Sequence, residues 1–202
     1  MKKIIFIFIL NTMAFASSPI HWGIGINWAN PVGSSRSGSS YSAGEKPGVG
    51  LDLELGQRLG SKFGYRVGLH SMGFPTYRNN DLNPKVENQP ALRFVDFGLD
   101  YLISNEYAVE IYANMSLANY KNIHSKESSI TFGDGSVLQV FGSNYQEQSS
   151  AIGFETGLRK RVKGGLWCQV AYHQTNLNKD KVGSDSIKWV GIGLKYMWGG
   201  KE

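Results

Sequence analysis

The chain has 202 residues, 41 % hydrophobic, 12 % aromatic and 18 % charged, with 25 glycines and a formal net charge of +5. Each glycine weakens a helix by roughly 1 kcal/mol, so this composition speaks against a helical protein. The length fits one domain, and the scattered cations exclude the basic stripe of a nucleic-acid-binding surface.

Residues 1–16 read as an export signal outside the fold. Lys2 and Lys3 open it, Ile4 to Leu10 is an apolar run, and Ala14-Phe15-Ala16 supplies small residues at a cleavage site. The run is far shorter than the roughly 20 residues of a membrane-spanning helix. Cleavage after Ala16 is expected, leaving 17–202 as the folded domain, and loss of the two lysines lowers the formal charge by two. No cysteine lies near the cut, which argues against a lipid anchor.

From there the sequence alternates with period two, eight times over. Ile20 to Ala29 sets Ile20, Trp22, Ile24, Ile26 and Trp28 against His21, Gly23, Gly25 and Asn27. Gly48 to Leu59 sets Val49, Leu51, Leu53 and Leu55 against Asp52, Glu54 and Arg58, and Phe63 to Gly73 sets Tyr65, Val67 and Leu69 against Arg66 and His70. Leu92 to Ile103 and Tyr107 to Leu117 continue the pattern, placing Asp96, Asp100 and Glu110 opposite Val95, Phe97, Leu99, Ile111 and Met115. Ser150 to Lys160, Leu166 to Gln174 and Val190 to Trp198 complete it, with Glu155, Arg159, His173 and Lys195 on the polar side. Helical spacing is sustained nowhere, and each segment is close to the 9–11 residues of a tilted membrane-crossing strand.

The connections alternate in length. Short ones fall near Gly60–Lys62, Ser104–Glu106 and Arg161–Gly164; long ones near Asn30–Pro47, Pro75–Pro90, Asn119–Gln148 and Asn176–Asp185. Such sorting is expected of an outer-membrane barrel with tight periplasmic turns and long outer loops. The first loop carries the polar run Ser34 to Ser40. The third holds Ile130-Thr131-Phe132 and Val137 to Phe141 around the turn-forming Gly133-Asp134-Gly135. These read as a hairpin that extends the fifth and sixth strands above the membrane, with Ile130, Phe132, Val137, Leu138, Val140 and Phe141 as a candidate binding surface. A ten-stranded barrel is the competing count.

The expected fold is all-β: an eight-stranded antiparallel up-and-down transmembrane barrel. Its apolar edge should meet lipid. Its polar edge should fill a narrow interior with a charge network of Asp52, Glu54, Arg58, Arg66, His70, Asp96, Asp100, Glu110, Glu155, Arg159 and Lys195, since eight strands leave room for little besides side chains. Buried charges must be paired, so a polar plug is expected rather than an open pore. Trp22, Trp28, Tyr65, Tyr101, Tyr107, Tyr172, Tyr196 and Trp198 lie near strand ends, as in the aromatic girdles of such barrels.

The ending Gly193-Leu194-Lys195-Tyr196-Met197-Trp198 fits the glycine–x–x–aromatic–x–aromatic signal read by the barrel assembly machinery, with Gly193, Tyr196 and Trp198 at its marked positions. Four residues follow Trp198, where such chains usually stop. Over roughly residues 20 to 198 the chain resembles the OmpA/OmpX-like family of small outer-membrane β-barrel proteins. The resemblance implies a bacterial surface protein with structural, adhesive or protective roles. The expectation is a monomeric, non-enzymatic protein of a Gram-negative outer membrane, surrounded by lipid A and phospholipid, with an unknown surface ligand at its loops.

Two other functions fit the architecture. One is a narrow channel for small solutes. The other is an enzyme: His173, Thr175 and Asp185 are similar to the base, nucleophile and orienting acid of outer-membrane lipid A deacylases, although Thr and Asp replace the Ser and Glu found there. His173 shares its face with Gln169 and Ala171, inward rather than toward lipid, which opposes that reading. His21, His70, His124 and His173 are too dispersed for a metal site. The in-strand glycine pairs lead into no helix, so no nucleotide cofactor is expected, and Cys168 reads as a small hydrophobe beside Leu166 and Val170.

Overall fold

The computed structural model describes residues 19–33, 46–79, 86–178 and 186–199. The expected export signal, the serine-rich run and Asp185 lie outside the described residues. Strands follow the alternating segments: β1 (His21–Pro31), β2 (Gly48–Arg58), β3 (Phe63–Gly73), a short β4 (Tyr77–Asn79), β5 (Val86–Ser104), β6 (Val109–Thr131), β7 (Val137–Lys163), β8 (Leu166–Asn176) and β9 (Ser186–Gly199).

Every pairing is antiparallel, and the order β3-β2-β1-β9-β8-β7-β6-β5 closes through β3–β5. The first and last strands meet in eleven register pairs, from His21↔Gly199 to Pro31↔Trp189. Eight strands therefore form a closed cylinder, and β4 is a ribbon added to the end of β5. Closure leaves no open edge within the wall, which a hydrocarbon solvent demands.

Side-chain parity decides the rest. Leu99 is 64 % exposed and its neighbour Asp100 only 2 %. Ile24, Leu53, Leu69, Phe97, Met115, Phe154 and Ile192 likewise face outward, while Asp52, Glu54, Arg66, Glu110, Arg159 and Lys195 are buried inside. The apolar surface covers the exterior on every wall strand, and the charged positions are enclosed. Glycines make this interior possible. A β-carbon at Gly64 would stand 2.6 Å from the Asp100 carboxylate, and one at Gly157 would stand 2.7 Å from the Tyr112 ring.

The largest departures from the sequence pattern lengthen strands at the long-loop end. β5 begins at Val86, within the segment expected to be loop, and pairs there with β6. β6 and β7 continue to Thr131 and Val137 through a bulge near His124 and Lys126, so most of the expected third loop is a paired ribbon. Polar outward residues such as Asn119, Lys121, Gln148 and Ser150 hid this extension, because period-two reading follows apolar positions. Short turns at 59–62, 105–108 and 164–165 gather at one end of the cylinder, together with the start of β1 and the end of β9.

Candidate functional site

The lumen has two sections. In the one nearer the short turns, inward positions are charged. Glu54 sits at its centre, with Arg159 Nη1 at 2.6 Å, Lys195 Nζ at 2.6 Å, Arg66 Nη1 at 3.2 Å and His21 Nε2 at 3.7 Å. Lys195 also reaches Asp52 at 2.7 Å. Arg159 and Arg58 both pair with Glu110, and both reach Asp100, at 3.6 and 3.5 Å. Arg66 lies over the Tyr112 ring at 3.7 Å and donates to Asn114 at 2.8 Å. Asn114 in turn donates to Glu155, which stands 3.8 Å from Arg66. His70 and Asp96 form a separate pair at 2.7 Å.

The structure thus brings the predicted lumen residues together, most of them in one connected cluster. Sequence reasoning left out His21, Tyr112 and Asn114. Their signal was available: each occupies an inward position, set by the same parity as Asp52 or Glu110.

The second section is apolar, and it corrects the expectation of a wholly polar plug. Met72, Phe74, Leu92, Phe94, Ala118, Tyr120, Leu177, Ile187 and Trp189 form a buried cluster with Ala29 and Ala151. Inward positions change character strand by strand, from Asp96 to Phe94 on β5, from Ser116 to Ala118 on β6, and from His70 to Met72 on β3. At the boundary the rings are layered. His173 stacks on Trp189 at 3.9 Å, Phe94 lies 5.0 Å from His173, and His70 stacks on Phe94 at 5.1 Å. The cavity beside His70, Phe94, Glu155, Gln169 and Trp189 measures about 20 Å³, room for one water. A vestibule of about 560 Å³ opens instead at the short-turn end, lined by His21, Arg58, Glu110, Arg159 and Trp167.

The residues of the enzyme reading fall at the boundary. His173 Nε2 and the Thr175 hydroxyl are 2.8 Å apart, and Glu155 lies 3.5 Å from His173 Nδ1. Base, hydroxyl and acid follow one another as in a catalytic triad, with Glu155 in the place the sequence reading gave to Asp185. Access is the obstacle: His173 and Thr175 are both 0 % exposed, sealed inside the wall. Among the described residues no cluster of three or more His, Cys, Asp and Glu side chains is placed to hold a metal ion.

Beyond the wall, the β6–β7 ribbon carries an amphipathic tip. Register pairs Ile130 with Leu138 and Ser128 with Val140, so these residues share one face. Ile130, Phe132, Val137 and Leu138 are exposed and Val140 is half-buried; Val137, paired with Thr131, belongs to the opposite face. The Phe141 side chain lies outside the described residues. Asp134 Oδ1 accepts from the Ser136 amide at 2.9 Å and its hydroxyl at 2.6 Å, which fixes the turn and holds the exposed carboxyl below its ordinary range. At the other end Trp198 stacks on Trp22 at 4.2 Å beside Tyr196, and Gly193 faces the lumen.

No protein-family model and no curated protein matches this sequence. Solved structures do match. Ail, the attachment invasion locus protein of Yersinia pestis, is 14 % identical, with 90 % of this chain and 99 % of that chain covered. The TM-score is 0.58 for Ail and 0.57 for its complex with the heparin analogue sucrose octasulfate. A major outer membrane protein from Thermus thermophilus is 10 % identical over 89 % of this chain and 99 % of that one, at a TM-score of 0.55. At such identities the likeness is one of fold, and it agrees with the outward apolar belt: the chain has the architecture of a small outer-membrane β-barrel.

Proposed function

We propose that this chain is a non-enzymatic outer-membrane protein that acts at the cell surface through the β6–β7 hairpin. Residues 1–16 direct export and are removed, and Gly193, Tyr196 and Trp198 present the finished strand to the barrel assembly machinery. An even strand number puts the start of β1 and the end of β9 at the short-turn end, which export from the periplasm makes the periplasmic end. The hairpin then stands outside.

The carrying observation is the exposure of Ile130, Phe132 and Leu138 on one face of a ribbon that continues far past the apolar belt. A tip needed only to close two strands has no use for that face. Binding of a sulfated sugar, which Ail shows, does not transfer to this tip. Its described side chains from Glu127 to Val140 include two acids and no cation.

Two alternatives lose support from the geometry. A solute channel requires a wet path, whereas the apolar section and the ion-pair cluster each close the lumen. A lipid-modifying enzyme requires His173 and Thr175 to meet an acyl ester, which the wall prevents. Lipid A from cells making the wild type or His173→Ala is expected to give identical mass spectra.

Deleting Thr131 to Val140 tests the surface role. The variant should keep heat-modifiable migration on gels; cells making the full chain should adhere to an epithelial layer, and cells making the variant should not. Adherence equal to that of the full chain removes the hairpin from this account.

A further inference from the structure

Going outward along the wall, the apolar belt ends in register on three adjacent strands. Val95, Leu117 and Ile152 form its last row on β5, β6 and β7; Arg93, Asn119 and Ser150 form the next, with Arg93↔Asn119 and Asn119↔Ser150 as register pairs. These six residues line one broad, shallow recess of the outer wall. One row further, Lys121 stands opposite Ala91 and Gln148. Arg93 and Lys121 are both exposed on the outer face, one row apart on neighbouring strands.

The two cations repel one another at such a spacing, and among the described residues no carboxylate stands between them. The nearest acid on that face of β5, Glu87, is two outward positions beyond Ala91. Asn119 accepts from Gln148 at 3.2 Å through its carbonyl oxygen, and its amide nitrogen carries two donors. Two cations and a donor above an apolar wall suit a phosphate that is fastened to acyl chains.

We infer that Arg93, Lys121 and Asn119 seat the phosphate of an outer-leaflet saccharolipid, whose acyl chains run down Val95, Leu117 and Ile152. This rests on the outward placement of the long-loop end proposed above, since that end must meet the phosphorylated leaflet. Guanidinium and ammonium groups bind phosphate by charge-assisted hydrogen bonds. Each cation near an anionic surface contributes enough that losing both weakens binding by roughly tenfold or more.

The test uses the full folded chain in phosphatidylcholine nanodiscs doped with bisphosphorylated lipid A or with the same lipid after phosphate removal. Native mass spectrometry reads the lipid A retained per protein. Wild type should retain the phosphorylated form at least tenfold better than R93A/K121A and better than it retains the dephosphorylated form. R93K/K121R should restore retention, and K160A/K163A, which alters exposed cations at the opposite rim, should match wild type. Heat-modifiable migration confirms that each variant is folded. Equal retention by wild type and R93A/K121A, or indifference to the phosphates, overturns the inference. Symmetric nanodiscs make this result independent of sidedness, so an inverted orientation would show separately, as hairpin cleavage by protease only after cells are opened.

Discussion

From the level of His70 and His173 toward the short turns, the barrel is filled by six acids, four arginine or lysine side chains and His21. On the other side it is filled by tryptophan, phenylalanine, leucine and isoleucine. Both fillings close the same cylinder, but they tolerate change differently. An ion-pair cluster depends on the sign and placement of each member, because a buried charge without its partner costs several kcal/mol. An apolar cluster depends on volume, and a small loss costs in proportion. The charged half is therefore sensitive to the loss of any one partner, and the apolar half separates it from the long-loop end.

The sharpest way to separate them is an isosteric change in the charged half. Glu54→Gln keeps the volume but leaves Arg66, Arg159 and Lys195 short of a partner; about 3–5 kcal/mol of stability should be lost, read by urea unfolding in lipid vesicles. A loss below about 1 kcal/mol would mean the cluster is hydrated and the contrast false. Trp189→Ala should cost about 3 kcal/mol as a cavity in the apolar half. Planar-bilayer recordings of this variant should still be silent, because the ion-pair cluster remains. Sustained openings in Trp189→Ala alone would assign closure to the apolar half only.

At the boundary, Thr175→Val removes the hydroxyl beside His173 Nε2 and should cost about 1–2 kcal/mol, the penalty of an unsatisfied buried nitrogen. Ile187→Val, deep in the apolar half, should cost least, about 1 kcal/mol. Were Ile187→Val to match Glu54→Gln, the two halves would not differ as described.

Much of this was legible in the residues. Period-two alternation located all eight wall strands, because lipid on one side and a filled lumen on the other impose opposite chemistry on successive positions. The charged cluster followed from the same parity, and Glu54, Arg159 and Lys195 could be assigned to it directly. The apolar half was harder to see. At Leu92-Arg93-Phe94-Val95 and Trp189-Val190 apolar residues occupy inward positions, so the alternation that marks a strand fades where the lumen turns greasy. The full length of β6 and β7 was hidden for the complementary reason, since above the belt their outward residues meet water and become polar. Pair geometry such as His173 with Thr175 and Glu155 depends on register between strands, which no single segment encodes.

The central claim, that the apolar edge of each strand faces hydrocarbon and the other edge is enclosed, is tested most directly with the protein's own tryptophans. Trp28 is exposed on the outer wall and Trp189 is buried in the lumen. In vesicles of lipids brominated along their acyl chains, a variant retaining only Trp28 should be strongly quenched and one retaining only Trp189 should keep nearly all its fluorescence. Strong quenching of Trp189 with Trp28 untouched would contradict the account.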